Sequence, residues 1–265
     1  MFSGPPFRCP LNTRRDAGER VTMRILILIL LIAAGLYGGY WYLGVRDARA
    51  DMALFIEGLE DAGWRVEEDG LSIAGFPSRI DTTLTDLSVT APDGGFGFRV
   101  GRLDILRLVY RRDREIIAVG SPAHVIVGGF DADVESERLL ASIDVAGSGE
   151  LGEVVATADR ITLPELDREA SGIIAAIRPA TGVSGDYDVY VSIESLLLNA
   201  EEIGPLLLEA TLTTDAPLTR DLATDMPAIT GFEIRQFEFG GEASESPSDA
   251  VETILPGLLA EAQRQ

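Results

Sequence analysis

The sequence contains no lysine, one cysteine (Cys9) and one histidine (His124). A lone cysteine excludes a disulfide framework, and with a single histidine beside it a zinc site of the Cys/His kind is excluded too. A Cys-His or Ser-His-Asp centre is hard to build from such material. Gly-rich phosphate loops are missing: neither G-x-x-x-x-G-K-[ST] nor a G-x-G-x-x-G at a strand–helix junction occurs, and Gly94-Gly95-Phe96-Gly97 reads as a turn between strands. No G-x-S-x-G elbow exists, since Gly147-Ser148-Gly149 lacks the flanking strand and helix. Positive charge is scarce, with 22 arginines against 43 acidic side chains in 265 residues and a net charge of −21.

Most of that imbalance lies beyond Ala50, where 40 Asp and Glu face 15 Arg. Such a body repels phosphate backbones, which excludes nucleic acid as a partner. It also repels anionic headgroups, so it stands off a membrane surface rather than lying on it. An apolar fraction of 46% excludes a disordered chain.

One segment carries no charge at all. From Ile25 to Leu43 the chain reads ILILILLIAAGLYGGYWYL, 19 residues. At ~1.5 Å per helical residue this spans ~28 Å, close to the ~30 Å hydrocarbon thickness of a bilayer. Tyr37, Tyr40, Trp41 and Tyr42 gather at its C-terminal end, as expected of an interfacial aromatic belt. Arg8, Arg14, Arg15, Arg20 and Arg24 precede the run, and only Arg46 and Arg49 follow closely. The positive-inside rule therefore predicts a single-pass anchor in the inner (cytoplasmic) membrane, N-terminus inside and main domain periplasmic. A cleaved signal peptide ending at Ala48-Arg49-Ala50 is the alternative, against which the length of the apolar run argues. Met23 offers a second start, which would remove Cys9. Gly35 and Gly39 form G-x-x-x-G, a spacing that lets two helices pair, although it is common by chance in small-residue-rich spans and packing or conformational tolerance is the preferred explanation.

The expected organisation is a poorly ordered cytoplasmic stretch over 1–24, a transmembrane helix over 25–43, an amphipathic linker helix over 46–63, a β-rich domain over 64–240 and a C-terminal linker and helix over 241–265. Met52, Phe55, Ile56 and Leu59 fall at helical spacing, opposite Glu57, Glu60 and Asp61, and Gly63 can cap the helix. Beyond Trp64 the period becomes two. In Asp186–Leu198, Tyr187, Val189, Val191, Ile193 and Leu197 point one way and Asp186, Asp188, Ser192 and Glu194 the other, as in a half-buried strand.

Similar runs stand at 78–90, 96–110, 116–119, 124–127, 153–163, 206–214 and 232–239, separated by Gly-rich and Pro-containing turns. The fold class is mainly β (α+β): a transmembrane helix, then a curved antiparallel sheet or sandwich with a few flanking helices. Leu103–Tyr110 is apolar on both faces and reads as a central or doubly covered strand. The apolar set shifts face between Leu84 and Leu87, so a bulge or strand end is expected near Asp86. Pro164–Ile177 and Ser248–Gln263 read as helices, the second with Val251, Leu255, Leu258 and Leu259 on one side and a kink at Pro256.

The segment Gly75-Phe76-Pro77-Ser78-Arg79-Ile80 followed by TTLTDLSVTAP resembles the opening of the domain-of-unknown-function family 2125, anchored proteins of Gram-negative envelopes. Ser78 stands where that family usually carries an aromatic. LDILRLVYRRDREIIAVGSPAHVIV, Ala141-Ser142 and YDVYVSIESLLLN are similar to its β-rich body, over roughly residues 23–240. These motifs are structural and carry no chemistry. At a further remove the family is similar to anchored, groove-shaped β-proteins of the AsmA kind that handle lipids, an analogy of fold.

Candidate chemistry is thin. His124 lies in a short apolar strand and reads as a half-buried structural imidazole. Asp131, Asp133 and Glu135 alternate on one face, but Ser136 and Ser142 occupy the positions where a calcium loop needs Gly and Glu, so a solvated strand face is the better reading. Nothing selects a catalytic pair among the carboxylates. No cofactor, metal or catalytic residue is assigned. The expectation is a non-enzymatic module whose sheet covers an apolar surface for a lipid or other apolar ligand. The alternative is a scaffold binding other membrane proteins through an edge strand or the Gly35/Gly39 face. A carboxylate-dependent hydrolase is the least favoured reading.

Overall fold

The computed structural model describes residues 15–181, 185–198, 201–219 and 227–244. The chain divides into two compact units, Met1–Gly44 and Val45–Gln265.

A single helix, α1, runs without interruption over Arg15–Asp61 and contributes to both units. The predicted anchor and linker helices are thus one element. In the first unit every side chain from Met23 to Tyr37 is exposed, including Leu26, Leu30 and Leu36. The helix is long and apolar enough to cross a membrane, with a mean hydropathy of 1.9 in its most apolar window. Within the second unit its inward stripe is Val45, Ala48, Met52, Ile56 and Leu59, of which Ala48 and Leu59 are buried. Phe55 was expected on this stripe and is instead 45% exposed. The stripe advances by four residues from Met52 to Ile56, a rotation of ~40° that leaves Phe55 ~60° to the other side. Gly63 ends the helix as expected: at φ 86° it donates to the Glu60 carbonyl while the Trp64 N–H reaches back to Leu59, a Schellman closure.

The fourteen strands among the described residues form one antiparallel sheet. In chain order they are β1 (Arg65–Glu67), β2 (Gly70–Ala74), β3 (Arg79–Thr90), β4 (Phe96–Leu108), β5 (Arg111–Val119), β6 (Ala123–Val127), β7 (Phe130–Glu137), β8 (Leu140–Val145), β9 (Leu151–Leu163), β10 (Arg168–Pro179), β11 (Asp186–Leu198), β12 (Glu201–Thr214), β13 (Ile229–Phe239) and β14 (Glu242–Ala243). The topology is simpler than that number implies. β5 and β6 lie end to end along β4, β7 and β8 end to end along β9, and β1 and β2 end to end along β3. The sheet is therefore a meander of long strands, each antiparallel to the one before it, as alternation and short turns predict.

Asp186–Leu198 is a strand over its predicted span, and the other predicted runs fall within observed strands with ends moved by a few residues, except at Ser78, Val109 and Tyr110, just outside β3 and β4. The strand containing Leu103 is central, between β3 on one edge and β5 on the other, with half-buried residues on both faces. Tyr110 departs from that reading: it lies in the β4–β5 turn and is 70% exposed. The irregularity at Asp86 is real but of another kind. Register is kept on both sides of it, from Thr85 opposite Arg102 to Leu87 opposite Val100, and Asp86 takes φ 49° opposite Gly101. A left-handed residue thus turns the strand over, and Leu84 and Leu87 join one core with Val100 and Ala123, against which Met52 packs.

The helix expected at 164–177 is not formed. Pro164–Leu166 makes one 3-10 turn, Asp167 adopts φ 51°, and β10 follows. The run Ile173-Ile174-Ala175-Ala176-Ile177 has no alternation to betray a strand, and only its pairing with β9 and β11 decides its conformation. The predicted helix over 248–263 lies outside the described residues.

A second core joins Leu151, Tyr187 and Leu218 to Val154, Ile177 and Leu212. The Leu218 N–H donates to the Tyr187 hydroxyl at 2.7 Å, which ties the loop after β12 onto the sheet.

Candidate functional site

Cross-strand register assembles two rows on the face of the sheet that carries both cores. One row reads Thr82, Ile105, Ile117, Ala141, Ala156, Ala175, Val191, Leu208 and Phe237, each opposite the next across successive strands from β3 to β13. The adjacent row reads Ile80, Arg107, Glu115, Ile143, Val154, Ile177, Val189, Ala210 and Ile234. Except at Thr82, Arg107 and Glu115 these positions are apolar, because period-2 alternation repeats with the same phase in every strand. The row behind them on the other face is mixed: Thr83, Asp104, Ala118, Leu140, Thr157, Ile174, Ser192, Leu207 and Glu238.

Burial along the first row is uneven. Thr82 and Phe237 at its ends are buried, whereas all seven residues from Ile105 to Leu208 are only half-buried. β10 is paired on both edges and contains no buried residue at all. Six strand spacings of ~4.8 Å make this half-open stretch about 29 Å long. At its middle, Ala141, Ala156 and Ala175 stand side by side and leave a shallow floor between larger neighbours.

Two charges interrupt this surface. Arg107 Nη1 lies 3.3 Å from Glu115 Oε1, with the side chains only 15% and 12% exposed. Glu115 faces Ile143, and Ile80 beyond Arg107 is buried. The sequence held a signal for this pair: Arg107 is in phase with Leu103 and Ile105, and Glu115 with Ile117 and Val119, so each charge falls on an apolar face. Reading 103–110 as uniformly apolar passed over it.

A polar cleft of about 420 Å³ opens elsewhere on the sheet. One lateral row supplies Glu67, Ser88, Arg99, His124 and Asp133, with Asp69 and Asp86 alongside. His124 is held between two carboxylates of β7, its Nε2 3.0 Å from Asp131 and its Nδ1 2.8 Å from Asp133. The sequence named these residues separately, and the β6–β7 hairpin brings them together. Both aspartates remain largely exposed, as a solvated strand face should. Among the described residues no three His, Cys, Asp or Glu side chains converge as a metal-binding set.

On the mixed face two carboxylates are held below the ordinary range. Asp104 is shifted down chiefly by hydrogen bonds from Arg102, at 2.7 and 2.8 Å, with Thr83 adding a further one against the opposing effect of burial. Asp144 is shifted down by its hydrogen bonds from Arg114. The Arg114–Asp144 pair joins β5 to β8, whereas Arg102 and Asp104 both lie on β4 and reach β3 through Thr83; none of them lines the polar cleft.

The residues singled out in the anchor all lie on α1. Tyr37 and Tyr40 bring their rings to 6.4 Å, Trp41 is half-buried and Tyr42 is exposed. A Cβ at Gly35 or Gly39 would meet nothing within 4 Å among the described residues.

The fold and the two rows define a class: an open antiparallel meander with one apolar face, preceded by a long apolar helix. The family model described as an uncharacterized protein conserved in bacteria (DUF2125) matches residues 41–242, and the chain belongs to that family. The match begins at the aromatic end of the apolar run, later than the resemblance read from the sequence. No curated protein and no solved structure matches the chain.

Proposed function

We propose that this protein is a single-pass, membrane-anchored, non-enzymatic module of the bacterial envelope that holds the hydrocarbon of a lipid on the two-row face of its sheet, on the periplasmic side of the inner membrane. The observation that carries this reading is the half-open run from Ile105 to Leu208: a central, apolar stretch across seven strands whose side chains are only half-buried among the described residues. At ~25 cal/mol per Å², apolar surface left in water forgoes stabilisation that a covering hydrocarbon restores. The exposed apolar surface of α1 from Met23 to Tyr37 and the arginines before it support the anchor and its orientation.

Native mass spectrometry of the intact chain extracted in mild detergent tests the proposal. Retained lipid, lost on Ala156→Arg and kept on Ile174→Arg of the opposite face, supports it. A chain that carries no lipid in its wild-type form, with the sheet intact by circular dichroism, overturns it.

A second reading has one observation of its own. Ile116, Leu140, Ile174 and Tyr190 are exposed on the mixed face, an apolar set on an otherwise acidic body. A scaffold that binds membrane proteins would use that surface, and the same spectra would then show a stoichiometric protein partner in place of lipid.

A further inference from the structure

The Arg107–Glu115 pair lies where a headgroup would sit if a hydrocarbon chain occupied the Ala141–Ala156–Ala175 floor. Glu115 is in register with Ile143, and Ala141 is two residues along the same strand and face. The two side chains are the only charges in either row. Placing an ion pair on an apolar surface is costly, because taking both charges out of water offsets most of their attraction. Well-packed hydrophobic residues would hold these strands together at least as well. The pair therefore needs a reason other than stability, and its chemistry supplies one.

We infer that the pair is a headgroup station and that the occupant of the face is a zwitterionic lipid, one with a phosphate and an ammonium group. This rests on the acyl-binding reading above and goes beyond it by naming the lipid class. The guanidinium of Arg107 offers the planar donor fork that suits a phosphate oxygen pair, and the carboxylate of Glu115 accepts from an ammonium. A dipolar headgroup laid across the ion pair replaces one interaction with two of the same sign sense, and no net charge is buried. An anionic lipid has no ammonium for Glu115 and would bring a further negative charge to a body that carries 40 acidic residues against 15 Arg beyond Ala50. Sparse shielding around these side chains, only 15% and 12% exposed, strengthens both the match and the mismatch.

The test is a competition by native mass spectrometry. Full-length protein in detergent is offered equimolar dioleoyl phosphatidylethanolamine and dioleoyl phosphatidylglycerol at low salt. The expected result is a preference of about tenfold or more for the zwitterionic lipid, equivalent to ~1.4 kcal/mol. In Arg107→Gln/Glu115→Gln, or in the apolar Arg107→Met/Glu115→Leu should the first variant fold poorly, the preference falls to within about twofold, read as the ratio of the two lipids whatever the total uptake. Equal uptake by the wild type, or an unchanged preference in a folded double variant, overturns the headgroup assignment and leaves the acyl-binding reading standing. Uptake of neither lipid overturns that reading and this inference with it. Should both variants fail to fold, the wild-type preference alone decides.

Discussion

Arg107 and Glu115 face each other across β4 and β5 at 3.3 Å, and every other residue of the two rows around them except Thr82 is apolar. Removing one partner takes the opposite charge away from the other in a largely buried place. Glu115→Ala or Arg107→Ala should lower stability by about 3 kcal/mol, whereas Arg107→Met/Glu115→Leu should recover most of that loss. Urea denaturation of the detergent-solubilised chain, followed by tryptophan fluorescence, measures both. A double variant less stable than either single one would contradict this.

Tyr187 closes the second core. Its hydroxyl accepts the buried Leu218 N–H, so Tyr187→Phe leaves that donor without a partner. The expected cost is about 1–3 kcal/mol. Amide hydrogen exchange at Leu218 should accelerate more than exchange along the centre of β11.

Acid should act on the mixed face through Asp104 and Asp144. Both carboxyls are held below their ordinary range in the folded chain by arginine hydrogen bonds. The sign follows: their contribution is present above the unfolded-state value and is lost as the pH falls through the lowered folded-state value. Asp104→Asn should therefore lower the urea midpoint at pH 7 and leave it almost unchanged once the pH is below that lowered value. An equal loss at both pH values would point to packing instead.

Gly185 adopts φ 93°, and a Cβ there would lie 2.7 Å from the Thr214 carbonyl oxygen. The left-handed conformation and the backbone clash act in the same direction, so Gly185→Ala should cost more than about 1 kcal/mol. Gly147→Ala, where a Cβ meets nothing within 4 Å among the described residues, should change the thermal midpoint little.

The sheet was legible where one face is polar. Asp186–Leu198 alternates cleanly, and its bounds follow from the sequence. At Ile173–Ile177 both faces are apolar, periodicity vanishes, and β10 resembles a helix until its neighbours are known. The candidate site was less legible for the same physical reason. Each strand's apolar phase can be read locally, but the alignment of nine strands into rows is a matter of long-range register. Ala141, Ala156 and Ala175 look like unremarkable small residues until pairing sets them side by side. His124, Asp131 and Asp133 were visible singly, and the hairpin that joins them had to be seen.

The most direct measurement is photo-crosslinking of the membrane-embedded full chain with a diazirine-bearing acyl chain, mapped by peptide mass spectrometry. The account predicts label on Ala141, Ala156, Ala175, Val191 and their row neighbours, in addition to α1, and little on Ile174 or Tyr190. Label confined to α1, or spread equally over both faces of the sheet, would contradict it.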